Sequence, residues 1–140
     1  MDALIVDAGP LYAVADAADP DHAGVIEALE RWPGELVVSA FTAAEADHLV
    51  LTRLGVDAEL ALLDDLAVTY AVESLDARQL RAARAVCARY RDLGLGLADA
   101  SIVVLAQRWS TVCLATFDRR HFRAVRPLQG GAFRLLPSDA

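Results

Sequence analysis

Apolar residues along the chain follow two spacings, one typical of buried strands and the other of amphipathic helices. Short apolar or alternating runs bounded by turn residues predict strands; these lie at residues 3–6, 36–38, 68–73, 111–116 and, more weakly, 133–136. Apolar residues at helical spacing predict helices; these cover residues 11–15, 20–31, 40–54, 57–67, 76–90 and 97–109. Strands that alternate with helices form a mainly parallel sheet with helices on both faces. The pattern therefore predicts an α/β fold with about four to five strands.

Residues with special backbone preferences mark where these elements begin and end. Gly9-Pro10 follows the first apolar run as a turn signal, and Asp19-Pro20 is typical of an N-cap followed by proline at the first helical position. Ser39 and Asp57 are predicted N-caps of two consecutive helices, which would form a helical hairpin. The segment 118–122 is expected to be a turn between the fourth strand and the last one.

The length and composition indicate one domain. A chain of 140 residues with 56% hydrophobic content can bury a full core without disulfide bonds or structural metal ions. We expect residues 1–137 to form a single domain and residues 138–140 to be a short tail. The amino end lacks the basic segment and the apolar length of a signal peptide or membrane span, so a cytoplasmic location is expected. Cys87 and Cys113 lie far apart in the chain, without metal or redox spacing, and are expected to be reduced.

Charge is divided unevenly along the chain, although the net charge is −7. Residues 1–73 contain two arginines and fifteen carboxylates, whereas residues 74–140 contain eleven arginines and five carboxylates. Within the densest basic run, Arg119 and Arg120 are candidate contacts for phosphate groups. The arginines of the predicted helix 76–90 are interpreted instead as its solvated face. The absence of lysine excludes a response-regulator receiver domain, which needs one.

Four carboxylates are predicted to meet at one edge of the sheet. Asp7 ends the first strand, Asp118 follows the fourth, Asp99 opens a helix after a glycine-containing loop, and Glu45 lies on the second turn of the helix after the second strand. Ligands of open α/β sheets bind at the carboxyl ends of the parallel strands. Converging carboxylates repel one another unless a cation neutralises them, and Mg²⁺ is a natural partner for oxygen ligands. Such a metal can activate water for attack on a phosphodiester.

Each of these acids also has an ordinary interpretation. Asp99 can cap a helix, Asp118 can form a turn, and Glu45 can be a solvated helix residue. Asp7 is different, because an aspartate that ends a buried strand is expensive to bury without a role. Asp47 lies two residues from Glu45 and points about 200° around the helix from it, so both cannot face one metal.

The segments 5–8, 42–45, 97–100 and 116–122 together resemble PIN domains, and the resemblance spans nearly the whole chain. The chain looks most similar to the VapC-type toxins of bacterial toxin–antitoxin pairs, particularly those of mycobacteria. The resemblance implies an endoribonuclease that depends on Mg²⁺ or Mn²⁺, cleaves structured RNA such as tRNA or rRNA, and thereby inhibits translation. It also implies a cognate antitoxin, and a homodimer that forms a heterotetramer or larger assembly with it.

The resemblance assigns roles to individual residues. Asp7 and Asp99 would be the most direct metal ligands, with Glu45 and Asp118 completing the acidic catalytic set. Thr116 lies where the family often has a hydroxyl residue near the fourth acid, which implies a supporting role.

Three alternatives stay open. Glu45 and His48 have the spacing of a di-iron carboxylate helix, but the motif occurs once, and His22 and His121 suggest no further ligand set. A phosphohydrolase with an aspartate nucleophile would need a second aspartate at Gly9. The non-enzymatic alternative is a module whose acidic groove binds an arginine-rich partner peptide.

Overall fold

A five-stranded parallel sheet, in the order β3-β2-β1-β4-β5, forms the centre of the computed structural model, which describes residues 2–140. The strands are β1 (Leu4–Val6), β2 (Leu36–Ser39), β3 (Ala71–Glu73), β4 (Cys113–Ala115) and β5 (Arg134–Leu136). The central strand β1 is fully buried, which agrees with the continuous apolar run of a strand covered on both faces. The predicted α/β fold is confirmed.

Helices cover both faces of this sheet. They are α1 (Ala8–Ala15), α2 (His22–Arg31), α3 (Ala40–Leu54), α4 (Val56–Thr69), α5 (Ala77–Arg89), α6 (Leu97–Arg108) and α7 (Arg119–Ala124). One buried cluster joins Leu4 and Val6 to α1, α2, α3 and α4, and the other joins Ile5 to α5, α6 and α7. Successive residues of β1 therefore serve opposite cores, as the pleat of a strand requires. The predicted hairpin of α3 and α4 is present.

Two predicted turn signals proved to have other roles. Gly9 and Pro10 lie inside the first turn of α1, because that turn leaves backbone N–H groups without helical partners and tolerates proline. The side chain of Asp19 accepts a hydrogen bond from the N–H of Asp21 at 2.8 Å, and this turn delays α2 until His22. The predicted start at Asp19-Pro20 was therefore two residues early.

Three further boundaries were wrong. Helix α4 begins at Val56 rather than at Asp57, because Gly55, with φ of 95°, turns the chain between the two helices. Helix α4 also continues to Thr69, whose hydroxyl donates to the Asp65 carboxylate at 2.7 Å one helical turn back, so only the end of the predicted strand 68–73 is extended. The expected turn at 118–122 is the start of helix α7.

Three further expectations concern the cysteines, membrane-spanning helices and the end of the domain. Both cysteines are unpaired. Across residues 2–140, no helix has the length and apolar character needed to cross a membrane. The boundary between domain and tail at residue 137 stays a prediction; Asp139 contacts the domain, since its carboxylate accepts from Leu135 N–H at 2.7 Å and pairs with Arg123.

Phe122 fixes α7 to the core, and its removal is expected to destabilise the fold. Its side chain is 1% exposed and packs edge to face on Phe133, with ring centroids 6.0 Å apart. We expect Phe122→Ala to lower the free energy of unfolding by about 3–5 kcal/mol and Phe122→Leu by about 1 kcal/mol, measured by urea denaturation. Equal stability of the alanine variant and the wild type would contradict this packing.

Candidate functional site

Asp7 lies at the carboxyl end of β1 and is the N-cap of α1. Its side chain is only 8% exposed. One carboxylate oxygen accepts from the N–H of Ala8 at 2.8 Å, and the other accepts from the hydroxyl of Thr116 at 2.7 Å. Burial raises the pKa of Asp7 to about 6; the two hydrogen bonds lower this pKa, and the charges of Asp99 and Glu45 raise it further. The protein therefore holds this carboxylate in place without fully stabilising its charge.

Thr116 joins two strand ends. It follows β4, is buried, and donates its hydroxyl hydrogen to Asp7 while its oxygen accepts from the N–H of Asp118 at 3.0 Å. Because β1 and β4 are neighbours in the sheet, the end of one is always close to the end of the other. Thr116 thus sets the distance between Asp7 and the loop that carries Asp118.

Asp99 lies in the first turn of α6 and does not cap that helix. The N-cap position is occupied by Gly96, which makes no side-chain hydrogen bond. Burial raises the pKa of Asp99, the charge of Asp118 raises it further, and His121 lowers it through charge and a hydrogen bond. The ordinary interpretation of Asp99 as a helix cap is therefore wrong, and its carboxylate is directed toward the other acids.

Glu45 extends from the second turn of α3 into the same cleft from a more exposed position. Partial burial raises its pKa, and the charge of Asp99 raises it further. Asp47, in contrast, contacts α4, where its hydrogen bond is the main cause of the raised pKa of Glu59. The two acids of α3 face different neighbours, as the helical geometry predicts.

A buried chain of hydroxyl groups ties α3 to α6. Ser39, the N-cap of α3, accepts from the N–H of Phe41 and lies 2.6 Å from the hydroxyl of Ser101, which donates to the carbonyl of Ala98 at 2.6 Å. These contacts connect the first turns of the two helices that carry Glu45 and Asp99. Their separation is therefore fixed by hydrogen bonds as well as by packing.

His121 belongs to the site, which corrects the sequence-based expectation. Its Nδ1 lies 2.8 Å from the Asp118 carboxylate and 3.1 Å from that of Asp99. Because both partners are carboxylate oxygens, Nδ1 carries the hydrogen in these contacts. Potential ligand atoms of Asp99, Asp118 and His121 all lie within 4.8 Å of one another. The i,i+3 spacing from Asp118 would have revealed this residue if α7 had been predicted as a helix.

The other histidines lie outside this arrangement. His22 contacts the carbonyl of Ala13 at 2.7 Å, and His48 is exposed on α3. Arg119 and Arg120 are the first two residues of α7; both are exposed beside Asp118, and none of the ion pairs found among residues 2–140 involves them.

The predicted acids lie close enough for their charges to interact, and among residues 2–140 the set with ligand atoms all within 4.8 Å of one another is Asp99, Asp118 and His121. Asp7, Glu45 and Asp99 influence one another's pKa, and Asp118 joins them through Thr116 and His121. The four acids offer oxygen ligands from four separate segments of the chain, and the ring of His121 contacts two of them. Such a cluster can bind a cation and a phosphate group that the cation neutralises.

The family of the chain is shown by comparison with known proteins. The PIN domain sequence profile matches residues 4–127. Ribonuclease VapC26 of Mycobacterium tuberculosis (strain ATCC 25618 / H37Rv) is 45% identical over 135 residues, which cover 96% of this chain and 100% of that protein.

Solved structures share the fold at lower sequence identity. The structure of Mycobacterium tuberculosis VapC20, described as a sarcin–ricin loop cleaving toxin, matches with a TM-score of 0.76 and 20% identity, over 83% of this chain and 90% of that one. A toxin–antitoxin complex from Klebsiella pneumoniae matches with a TM-score of 0.69 and 20% identity, over 87% of this chain and 92% of that one. The sequence profile, the full-length relative and the shared architecture agree: the chain belongs to the PIN-domain family and, within it, to the VapC-type proteins.

Proposed function

We propose that this protein is a metal-dependent endoribonuclease and the toxin of a toxin–antitoxin pair. The observation that carries the proposal is the convergence of Asp7, Glu45, Asp99 and Asp118 at the carboxyl edge of the sheet. The relationship to ribonuclease VapC26, at 45% identity over its full length, supports the same activity.

The acids fit a hard divalent cation. The pKa values of Asp7, Asp99 and Glu45 are all raised, because each carboxylate is partly buried near the others. A cation would relieve this repulsion, and Mg²⁺ or Mn²⁺ suits carboxylate oxygens. Asp7 and Asp99 would hold it most directly, with Glu45 and Asp118 completing the set. When bound, the ion would supply a deprotonated water for attack on a phosphodiester and would neutralise the phosphate.

Neighbouring residues hold the carboxylates in position. The Ala8 N–H and the Thr116 hydroxyl each donate to a different oxygen of Asp7, so the carboxylate cannot rotate, while both oxygens keep a free lone pair. His121 acts in the same way on Asp118, with its backbone N–H on one oxygen and Nδ1 on the other, and Nδ1 also contacts one oxygen of Asp99. A site held by such contacts needs little reorganisation when substrate arrives.

Structured RNA, such as tRNA or rRNA, is the proposed substrate. Arg119 and Arg120 stand exposed beside Asp118 and can contact backbone phosphates flanking the one that is cleaved. VapC20, which shares this fold, is described as a sarcin–ricin loop cleaving toxin.

A cognate antitoxin is the proposed protein partner, with a homodimer of this chain in a heterotetramer or larger assembly. The fold similarity to the Klebsiella pneumoniae toxin–antitoxin complex supports this part of the proposal. The same acidic cleft would attract an arginine-rich peptide without any catalysis. That second candidate, a non-catalytic binding module, predicts intact partner binding and no RNA cleavage under any metal condition.

Neutralising the direct ligands is expected to abolish cleavage. Asp7→Asn and Asp99→Asn remove a ligand's charge with little change in volume, so the rate of RNA cleavage should fall by more than about a hundredfold in Mg²⁺ or Mn²⁺. EDTA should have the same effect on the wild type. The measurement is cleavage of total bacterial RNA, with the new RNA ends mapped.

Asp47→Asn is the matched control for this experiment, because Asp47 lies on α3 beside Glu45 but faces α4. It should cleave at a rate close to that of the wild type. Full activity of both Asp7→Asn and Asp99→Asn would rule out the proposed metal site.

The raised pKa of Asp7 predicts that the difference in stability between the wild type and Asp7→Asn depends on pH. The folded-state pKa is about 6 and the ordinary value is 3.8, so the stabilising proton is fully held below pH 3.8 and is lost as the pH rises through about 6. In EDTA at pH 8, Asp7→Asn should therefore unfold with a free energy about 2–3 kcal/mol higher than that of the wild type, and the difference should fall below about 1 kcal/mol near pH 4.

Urea denaturation at the two pH values measures this effect, and added Mn²⁺ provides the second arm. The ion should stabilise the wild type at pH 8 much more than Asp7→Asn, since the variant lacks a ligand. Equal stability of the two proteins in EDTA at pH 8 would contradict the proposed strain on Asp7.

Phosphate contact by α7 predicts a change in salt dependence. Arg119→Ala and Arg120→Ala should each weaken RNA binding and reduce the slope of log affinity against log salt concentration by about 1. Arg81→Ala serves as the control, because it lies exposed on α5 and is interpreted as solvated. An unchanged slope in both α7 variants would show that these arginines do not contact RNA phosphates.

A further inference from the structure

Phe117 is an exposed aromatic residue at the rim of the acidic cleft. Its side chain is 38% exposed. The residues on either side are both fixed in the site: Thr116 donates to Asp7, and Asp118 accepts from the backbone and ring of His121. The ring is therefore held next to the acids by a short, hydrogen-bonded loop.

The exposure of Phe117 is unusual within this chain. Among the aromatic residues of positions 2–140, all the others are buried or half-buried; the remaining phenylalanines are Phe41, Phe122 and Phe133. Phe122 and Phe133 pack on each other in the core. Phe117 directly follows a buried strand, and no core position explains why an aromatic ring should be presented to solvent there.

Gly9 provides the surface on which this ring rests. A Cβ atom at Gly9 would lie 2.9 Å from Cδ2 of Phe117, closer than real side chains approach. The backbone itself does not require glycine, because Gly9 lies in α1 and is not among the residues with positive φ. Glycine disfavours helices relative to alanine. The ring therefore packs against bare backbone two residues beyond Asp7 and stays partly exposed to solvent.

We propose that Phe117 is a stacking platform for an unpaired nucleobase of the RNA, adjacent to the phosphate that the acids engage. This inference rests on the proposed function and adds a base-binding subsite to it. Unpaired RNA bases stack on exposed aromatic rings, and every base has a face that can do so. The carboxylates cannot serve this purpose, because they engage the backbone through a cation. Phe117 would thus position the strand and favour looped or single-stranded segments.

The test separates base contacts from phosphate contacts. The probes are a fluorescent octauridylate, whose bases stack little on one another, and an abasic octamer with the same ribose-phosphate backbone. Binding is measured by fluorescence anisotropy at low salt with Ca²⁺, which also takes oxygen ligands, and strand integrity is checked by gel electrophoresis. We expect the wild type to bind octauridylate about tenfold more tightly than the abasic strand.

Variants of Phe117 should change only the base-dependent part of this affinity. Phe117→Ala should bind both strands equally, with its affinity for the abasic strand unchanged, whereas Phe117→Trp should retain or increase the preference. Leu128→Ala is the matched control: Leu128 is 40% exposed, and its neighbour Gln129 bonds the carbonyl of Thr111 ahead of β4, at the opposite edge of the sheet. This variant should behave as the wild type.

Gly9→Ala tests the same platform without removing the ring. The added methyl group should displace Phe117 and reduce the preference for octauridylate, while alanine maintains or raises helix stability. Thermal unfolding of this variant therefore distinguishes a displaced ring from a damaged fold.

Two different failures can be told apart. Phe117→Ala could keep the wild-type preference for octauridylate while the wild type cleaves RNA. In that case Phe117 does not stack on a base, and the nuclease proposal is unaffected. Phe117 would then be a contact for another kind of partner, such as a protein. If the wild type binds neither strand and cleaves no RNA, both the proposed function and the stacking role of Phe117 are contradicted.

Discussion

The burial of several carboxylates at one edge of the sheet, close enough to repel one another, is the constraint on which the site depends. Asp7 is almost fully buried, and two hydrogen bonds only partly offset the loss of its hydration, so its pKa stays near 6. Burial also raises the pKa values of Asp99 and Glu45. The buried carboxylates lower the stability of the fold at neutral pH, where they are charged. Binding of a divalent cation would neutralise them and restore this stability.

The surrounding structure holds these charges together despite the repulsion. Parallel strands β1 and β4 bring their carboxyl ends side by side, and Thr116 bridges the gap between Asp7 and Asp118. The hydroxyl pair of Ser39 and Ser101 ties α3 to α6, and the ring of His121 holds α7 against α6 through the carboxylate of Asp99. Each acid is thus anchored to a different segment of the fold, so no single loop movement can disperse the cluster.

Much of this arrangement could be predicted from sequence, and the exceptions have physical reasons. The apolar runs of β1 and β4 identified the sheet, and strand ends that meet at one edge identified the acids. Helix α7 was missed because six residues are too few to show a helical period, and because Asp118 fits a turn as well as an N-cap; His121 was lost with it. The exposure of Phe117 could not be predicted, since an aromatic residue after a buried strand usually points inward.

The acids are claimed to form a site for a divalent cation, and direct localisation of the ion is the most direct test. Crystals of the protein would be soaked in Mn²⁺ at neutral pH, and anomalous scattering would locate the metal. We predict a peak within ligand distance of Asp7 and Asp99, and its loss in crystals of Asp7→Asn. A fully occupied Mn²⁺ ion bound elsewhere, with none between these two carboxylates, would contradict the proposed metal site.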